Sequence, residues 1–241
     1  MVGKVATVVD ESTKAPQKLV VTGNEAVARG ALAAGCRHYF GYPITPQNDI
    51  PEFFAREMPK IGGEFVQSEA ECSSIAMVYG AAACGVRAMT STSGPGWSLM
   101  QEFMSHSVVA ELPFIVAMVQ RGGPGGGTTR HAQQDYNSVT RGGGNGDHKF
   151  IVLGPYSVQE CYDMAQMAFY LADKYRQPVV VLSDAILGQM AEDLEMRTLE
   201  FGQLPAKDWA ARGTAHKGGR YDFVSTLAAG WAPPWYTPFL A

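Results

Sequence analysis

One order repeats along this chain: an apolar run of strand length, a Gly- or Pro-rich turn, then a helical stretch. The extended runs are HYFGYP (38–43), residues 64–67, RAMTSTS (87–93), residues 114–119, residues 150–153 and VVVLSDAIL (179–187). Between them lie AVARGALAAG, stopping at Gly35; a stretch through DIPEFFAREM, with Pro46 placed to open the helix; and helical stretches over 68–84, 98–110 and 157–175. The last puts Val158, Cys161, Met164, Ala165, Ala168, Leu171 and Ala172 on one face. Strands alternating with helices predict right-handed crossovers and a mostly parallel sheet flanked by helices, an α/β fold. Continuous apolar runs such as 114–119 fit strands covered on both faces.

In such sheets ligands bind beyond the carboxyl ends of the strands. The chemically informative segments sit there: YPITP (42–46), Gln67-Ser68-Glu69, Thr90–Gly96 and Arg121–Gly127 each follow an extended run. Glycine (27) and proline (14) exceed the globular average of roughly 12% for the two together. The excess gathers in the loop over 121–147 and in the tail. From about Gly202 the chain changes character, with Trp209, Trp231, Trp235, Tyr221, Tyr236 and Phe239 and no clear periodicity. The division expected is an arm over 1–17, one domain over 18–200, and an aromatic, proline-rich tail over 201–241 that wraps its own domain or docks on a partner.

Composition excludes several classes. With 23 acidic and 19 basic residues the net charge is −4, without the basic surplus of a nucleic-acid binder. No apolar stretch reaches the ~18 residues of a membrane span, and the first twenty residues lack the apolar centre of a signal peptide. A cytoplasmic protein is expected. Cys36, Cys72, Cys84 and Cys161 match no CxxC or ferredoxin-type spacing, so they are expected to be buried thiols, with no cluster or metal held by this chain. The methionines at 77, 164, 167 and 190 are expected in the core. His131 and His148 flank the Gly-rich loop without metal-ligand spacing and are expected to be ordinary loop histidines.

Nucleotide fingerprints are missing: no GxGxxG follows the first strand, and GGPGGGTTR has the glycines of a phosphate loop without its lysine. That loop is either surface chain or a place where backbone approaches a ligand beside Arg121. Ser68 followed three positions later by Glu71 reads as a capping box with Glu69 in the first turn, an account that needs no chemistry. Glu69 nonetheless stands where a strand becomes a helix at the ligand edge, and a carboxylate there can hydrogen-bond a ring nitrogen. In YPITP two prolines bracket Ile44 and Thr45 and fix the backbone on both sides, presenting the Thr45 hydroxyl at a rigid turn.

Taken in order, YPITP, Phe65–Glu69, Thr90–Gly96, Arg121–Gly125, GGGNGDH and ADKYRQPVVVLSDAILGQM resemble the alpha subunit of 2-oxoacid:ferredoxin oxidoreductases, of the 2-oxoglutarate and branched-chain 2-oxoacid type, over residues 18–205. The resemblance implies the pyrimidine-binding domain of a thiamine diphosphate enzyme. It implies that Glu69 contacts N1′ of the aminopyrimidine. Thr45 would reach the substrate and the reacting end of the cofactor, and Arg121 would pair with the substrate carboxylate. Tyr42, Pro43, Ile44, Ser93 and Gly94 would line the cofactor pocket. The implied reaction is coenzyme A-dependent oxidative decarboxylation, with electrons passing to ferredoxin. No GDG-type turn with a following Asn is present, so a beta subunit is expected to supply the diphosphate site and Mg²⁺. Gamma and ferredoxin-like delta subunits, and [4Fe–4S] clusters on the partners, are expected with it. Two alternatives share the fold: a thiamine enzyme without ferredoxin, and a non-catalytic scaffold.

Overall fold

The computed structural model describes residues 18–211. A six-stranded sheet runs in the order β3-β2-β4-β5-β7-β6, where β2 is His38–Gly41, β3 Glu64–Gln67, β4 Ala88–Thr92, β5 Ile115–Gln120, β6 Ile151–Leu153 and β7 Val179–Asp184. Every neighbouring pair is parallel. A separate antiparallel ribbon joins β1 (Lys18–Thr22) to β8 (Ala191–Glu195). The expected parallel α/β architecture is therefore the observed one.

The alternating faces of the strands build two cores. On one side Tyr39, Met89, Ile115, Ala117, Val179 and Val181 pack under α1 (Gly23–Ala33), α2 (Asp49–Glu57) and α6 (Val158–Tyr175). On the other, Ala88, Val116, Met118 and Val180 pack under α3 (Glu71–Ala83) and α4 (Gly94–Val109). α6 buries the predicted stripe through Val158, Cys161, Ala165, Ala168 and Ala172. Its start is capped by Ser157, whose hydroxyl accepts from the Glu160 amide at 3.2 Å.

Several local expectations are corrected. Pro46 does not open α2. The helix starts at Asp49, and Pro51 takes a first-turn position where the missing amide costs nothing. Gly94-Pro95-Gly96 is not a turn ahead of a helix at 98 but the first turn of α4 itself, again because proline is tolerated before the intrahelical bonds begin. The run through VVVLSDAIL is strand only to Asp184. Its carboxylate then accepts from the Ile186 and Leu187 amides at 2.9 and 3.0 Å, capping a short α7 (Ala185–Gln189). The loop over 121–147 contains a short α5 (Tyr136–Thr140).

Two of the four cysteines are exposed: Cys72 on the outward side of α3 and Cys84 at the cap that ends it. Cys36 and Cys161 are buried as expected. Met77 and Met167 are likewise exposed rather than core. Of the tail, residues 212–241 lie outside the described residues, as does the arm over 1–17. The described end of the tail lies on its own domain, away from the ligand edge. Lys207 pairs with Asp173 at 2.6 Å, Arg176 stacks on Trp209 at 4.6 Å, and the Ala211 amide donates to the Ala83 carbonyl at the end of α3.

Candidate functional site

The carboxyl ends of β2, β3, β4 and β5 meet along one edge, and the predicted site residues lie just beyond them. The turn after β2 is held from below by a buried polar chain. The Tyr39 hydroxyl and the Ser91 hydroxyl lie 2.5 Å apart. Ser91 Oγ in turn donates to Gln47 Oε1. Gln47 Nε2 donates to the Tyr42 carbonyl at 3.1 Å, and the Gln47 amide to the Ile44 carbonyl at 3.1 Å. Burial pushes the Tyr39 phenol well above its ordinary range, so it stays a neutral hydroxyl. Ring stacking on Phe54 and Phe65 completes its setting. Gly41 is required here, since a Cβ would strike the Tyr39 ring at 2.6 Å. Gln47, wholly buried, is a residue that sequence reasoning missed. Its position right after Thr45-Pro46 was the one available signal.

Arg121, just past β5, is 9% exposed. Its Nη1 donates to the Thr45 carbonyl at 2.8 Å and its Nη2 to the Gly126 carbonyl at 2.9 Å. The guanidinium thus ties the YPITP turn to the Gly-rich loop. It also lies against Gly94, whose Cβ position is 3.1 Å from Arg121 Nε, and that Nε is buried without a partner. The Arg121 amide donates to Asp135 Oδ2 at 3.3 Å, and Asp135 also takes a backbone hydrogen bond from Gly94. Burial raises the Asp135 carboxyl above the ordinary aspartate value, against the pull of those donors. Asp135 carried no signal in the sequence, because its role depends on how a long loop folds back. Beside it runs a groove of about 640 Å³ lined by Gly94, Pro95, Gly123, Pro124, Gln134 and Asp135.

Glu69 lies past the end of the edge strand β3 and is exposed. Its Oε1 accepts from the Ser73 hydroxyl at 3.3 Å. The expected capping box does not form. α3 begins at Glu71, and its N-cap Ala70 supplies no side-chain bond. The Ser68 hydroxyl is engaged by the Gly41 and Ala70 carbonyls and by Ser74 Oγ. Glu71 is buried and turns toward α4, where a Cβ on Gly96 would stand 2.5 Å from its Oε1. Glu69 therefore lies ahead of the helix and not in its first turn, and its carboxylate is exposed. Ser93, at the N-cap of α4, is fully buried with its hydroxyl unpartnered, as is Thr92. Tyr42 and Ile44 are half-buried and Pro43 is exposed.

The structure therefore brings Thr45, Arg121 and Gly94 into one packed unit and sets Glu69 on the neighbouring strand end. It leaves His131 exposed and apart. His148 is buried against Phe150, its Nδ1 3.1 Å from the Gly146 carbonyl and its Nε2 without a partner. Among the described residues no cluster of His, Cys, Asp and Glu is placed to hold a metal ion, and no helix is long and apolar enough to cross a membrane.

Comparison with known proteins gives a consistent answer. Residues 29–233 match the family described as pyruvate flavodoxin/ferredoxin oxidoreductase, thiamine diphosphate-binding. The chain is 51% identical over 195 residues to ketoisovalerate oxidoreductase subunit VorB of Methanothermobacter marburgensis, covering 81% of this chain and 55% of that one. It is 51% identical over 170 residues to 2-oxoglutarate synthase subunit KorA of Methanocaldococcus jannaschii, covering 70% and 46%. The chain thus spans about half the length of the curated relatives it matches. Among solved structures, 2-oxoglutarate:ferredoxin oxidoreductase from Magnetococcus marinus superposes with a TM-score of 0.75 at 38% identity, covering 82% of this chain and 35% of that one.

Proposed function

Since this chain belongs to the thiamine diphosphate-binding family of pyruvate flavodoxin/ferredoxin oxidoreductases, we propose that it is the pyrimidine-holding half of a 2-oxoacid:ferredoxin oxidoreductase. The reaction is the coenzyme A-dependent oxidative decarboxylation of 2-oxoglutarate or a branched-chain 2-oxoacid, with electrons passing to ferredoxin. Relatives named for ketoisovalerate and for 2-oxoglutarate support the substrate class. The observation that carries the reading is the exposed Glu69 carboxylate beside the buried Arg121–Thr45 unit on one sheet edge.

The residues present fit one half of thiamine diphosphate. An exposed carboxylate suits an aminopyrimidine nitrogen. The Ser93 hydroxyl and the Arg121 Nε are buried polar atoms without a partner at that edge. The other half needs a metal-bound diphosphate, for which no group of His, Cys, Asp and Glu is placed among the described residues. When bound, the thiazolium supplies the nucleophilic carbon and the electron sink for decarboxylation. This chain's part is to hold and orient. Glu69 accepts and returns a proton at the ring nitrogen. Tyr42, Pro43 and Ile44 wall the ring on the β2 side, and Ser93 and Gly94 on the β4 side. Thr45 presents its hydroxyl toward the reacting end, and Arg121 gives the substrate carboxylate a fixed cation. A beta subunit brings the diphosphate site and Mg²⁺. Gamma and ferredoxin-like delta subunits and their [4Fe–4S] clusters carry the electrons out.

The test is Glu69→Gln in the assembled enzyme, assayed for 2-oxoacid-dependent dye reduction with coenzyme A. The expected result is a loss of about 10²–10⁴ in turnover with assembly intact, the usual worth of a positioned acid–base group. Unchanged turnover would remove Glu69 from the chemistry. A colourless, cluster-free assembly that decarboxylates would mark a thiamine enzyme without ferredoxin, and one that turns over no 2-oxoacid a scaffold.

A further inference from the structure

We infer that Asp135 is a positioning residue for the 2-oxoacid, fixing the main chain of Arg121 against the first residue of α4 so that the guanidinium stands ready for the substrate carboxylate. This rests on the functional reading above and adds to it a residue that acts through Arg121.

Arg121 is a nearly buried charge without a countercharge. Among the described residues it enters no ion pair, and both Nη atoms are taken up by carbonyls, those of Thr45 and Gly126. A cation buried this way is costly until an anion joins it. Asp135 is half-buried beside it, yet its carboxylate does not pair with the guanidinium. It takes main-chain amides instead, from Arg121 at 3.3 Å through Oδ2 and from Gly94. One carboxylate thus joins the residue that follows β5 to the residue that opens α4, and leaves the cationic head unpaired.

The placement comes from the segment that returns from the Gly-rich loop, where three consecutive side chains fasten the chain. Gln133 Nε2 donates to Asp184 Oδ2 at the end of β7 at 2.7 Å. Gln134 Oε1 accepts from the Gly123 amide, two residues past Arg121, at 2.6 Å. Asp135 then takes Arg121 and Gly94. Bonds to an ionised acceptor are roughly twice as strong as neutral ones, so Asp135 is the firmest of the three. The fit it maintains is close, since a Cβ on Gly94 would stand 3.1 Å from Arg121 Nε. A shift of either main chain moves the guanidinium relative to Ser93 and Gly94, and small misplacements of a positioning group are costly.

The experiment measures KM and kcat in the assembled enzyme with ketoisovalerate and 2-oxoglutarate, and separately for coenzyme A. Asp135→Ala removes both main-chain bonds and is expected to raise the 2-oxoacid KM at least about tenfold, with kcat falling less. Asp135→Asn keeps the size and one acceptor oxygen and should raise it less; it carries the test if Asp135→Ala fails to assemble. The KM for coenzyme A should stay within about twofold of wild type in both. In an Arg121→Ala background, removing Asp135 should add less than about twofold, since a residue acting through Arg121 has nothing left to act on. Gln133→Ala loosens the same segment at Asp184 but spares the Arg121 bond, and should leave the 2-oxoacid KM within about twofold. A 2-oxoacid KM unchanged by losing Asp135 but raised in Arg121→Ala would overturn this inference and leave the carboxylate role of Arg121 standing. Equal rises with and without Arg121, a parallel rise for coenzyme A, or an equal effect of Gln133→Ala would reduce Asp135 to a structural part and overturn it as well. An unchanged KM in Arg121→Ala would instead sink the carboxylate role itself, and this inference with it.

Discussion

Arg121 Nη1 donates to the Thr45 carbonyl at 2.8 Å across 76 positions of sequence, and Nη2 of the same guanidinium holds the Gly126 carbonyl at 2.9 Å. Two turns that leave different strands are thereby locked to each other by one fork. Anything that reaches Arg121 at this edge meets Thr45 in a fixed place, a pre-organisation that catalytic positioning depends on.

Arg121→Ala should therefore act on stability and on substrate together. Losing both charge-assisted bonds is expected to cost about 2 kcal/mol, read as a lower denaturant midpoint. In the assembled enzyme the KM for the 2-oxoacid should rise. Arg121→Lys keeps the charge but not the fork, and should also raise KM. A KM equal to wild type in both variants would count against the carboxylate role.

Gly96→Ala tests the junction of α3 and α4. The added methyl would stand 2.5 Å from Glu71 Oε1 and press on Thr92 Oγ1, both buried. Overpacking of this kind costs about 1–3 kcal/mol, measured as a fall in Tm. No change in Tm would mean that Glu71 can swing away.

Thiol chemistry should sort the cysteines by burial. Desolvation pushes the Cys36 and Cys161 thiols up to about 12, so they stay protonated and shielded. At pH 8 the free folded chain should titrate two thiols, Cys72 and Cys84, and all four only after unfolding. Rapid labelling of Cys36 in the native state would contradict this core.

The Asp135 carboxyl gives a pH signature. Its folded value lies above the ordinary 3.8 because burial opposes the charge. The folded state then binds a proton more readily than the unfolded chain. This contribution is fully present below the ordinary value and is lost as pH rises through the raised one. Comparing denaturant midpoints across mildly acidic pH, wild type should gain on Asp135→Asn as pH falls. Parallel pH curves would mean that Asp135 titrates normally.

Much of this was legible in the sequence, because local rules carry it. Apolar runs such as 114–119 fit doubly covered strands, and their alternation with helices predicts a parallel sheet. YPITP, Gln67–Glu69 and Arg121 could be placed on one edge by chain order alone. The misses came where two local rules competed. Ser68 with Glu71 satisfies the capping pattern, yet the Gly41 and Ala70 carbonyls claim the Ser68 hydroxyl and the α4 junction claims Glu71. Pro46 and Pro95 each fit either a turn or a helix start, and only the surrounding packing chose.

Chain order by itself determined which segments face the ligand edge, since a strand's direction settles which end its turn occupies. Only the tertiary structure decided that Arg121 binds Thr45's backbone and that Gln47 and Asp135 brace the site. Those facts depend on contacts between residues far apart in sequence, and no periodicity or spacing encodes which distant atoms will be brought within hydrogen-bonding reach.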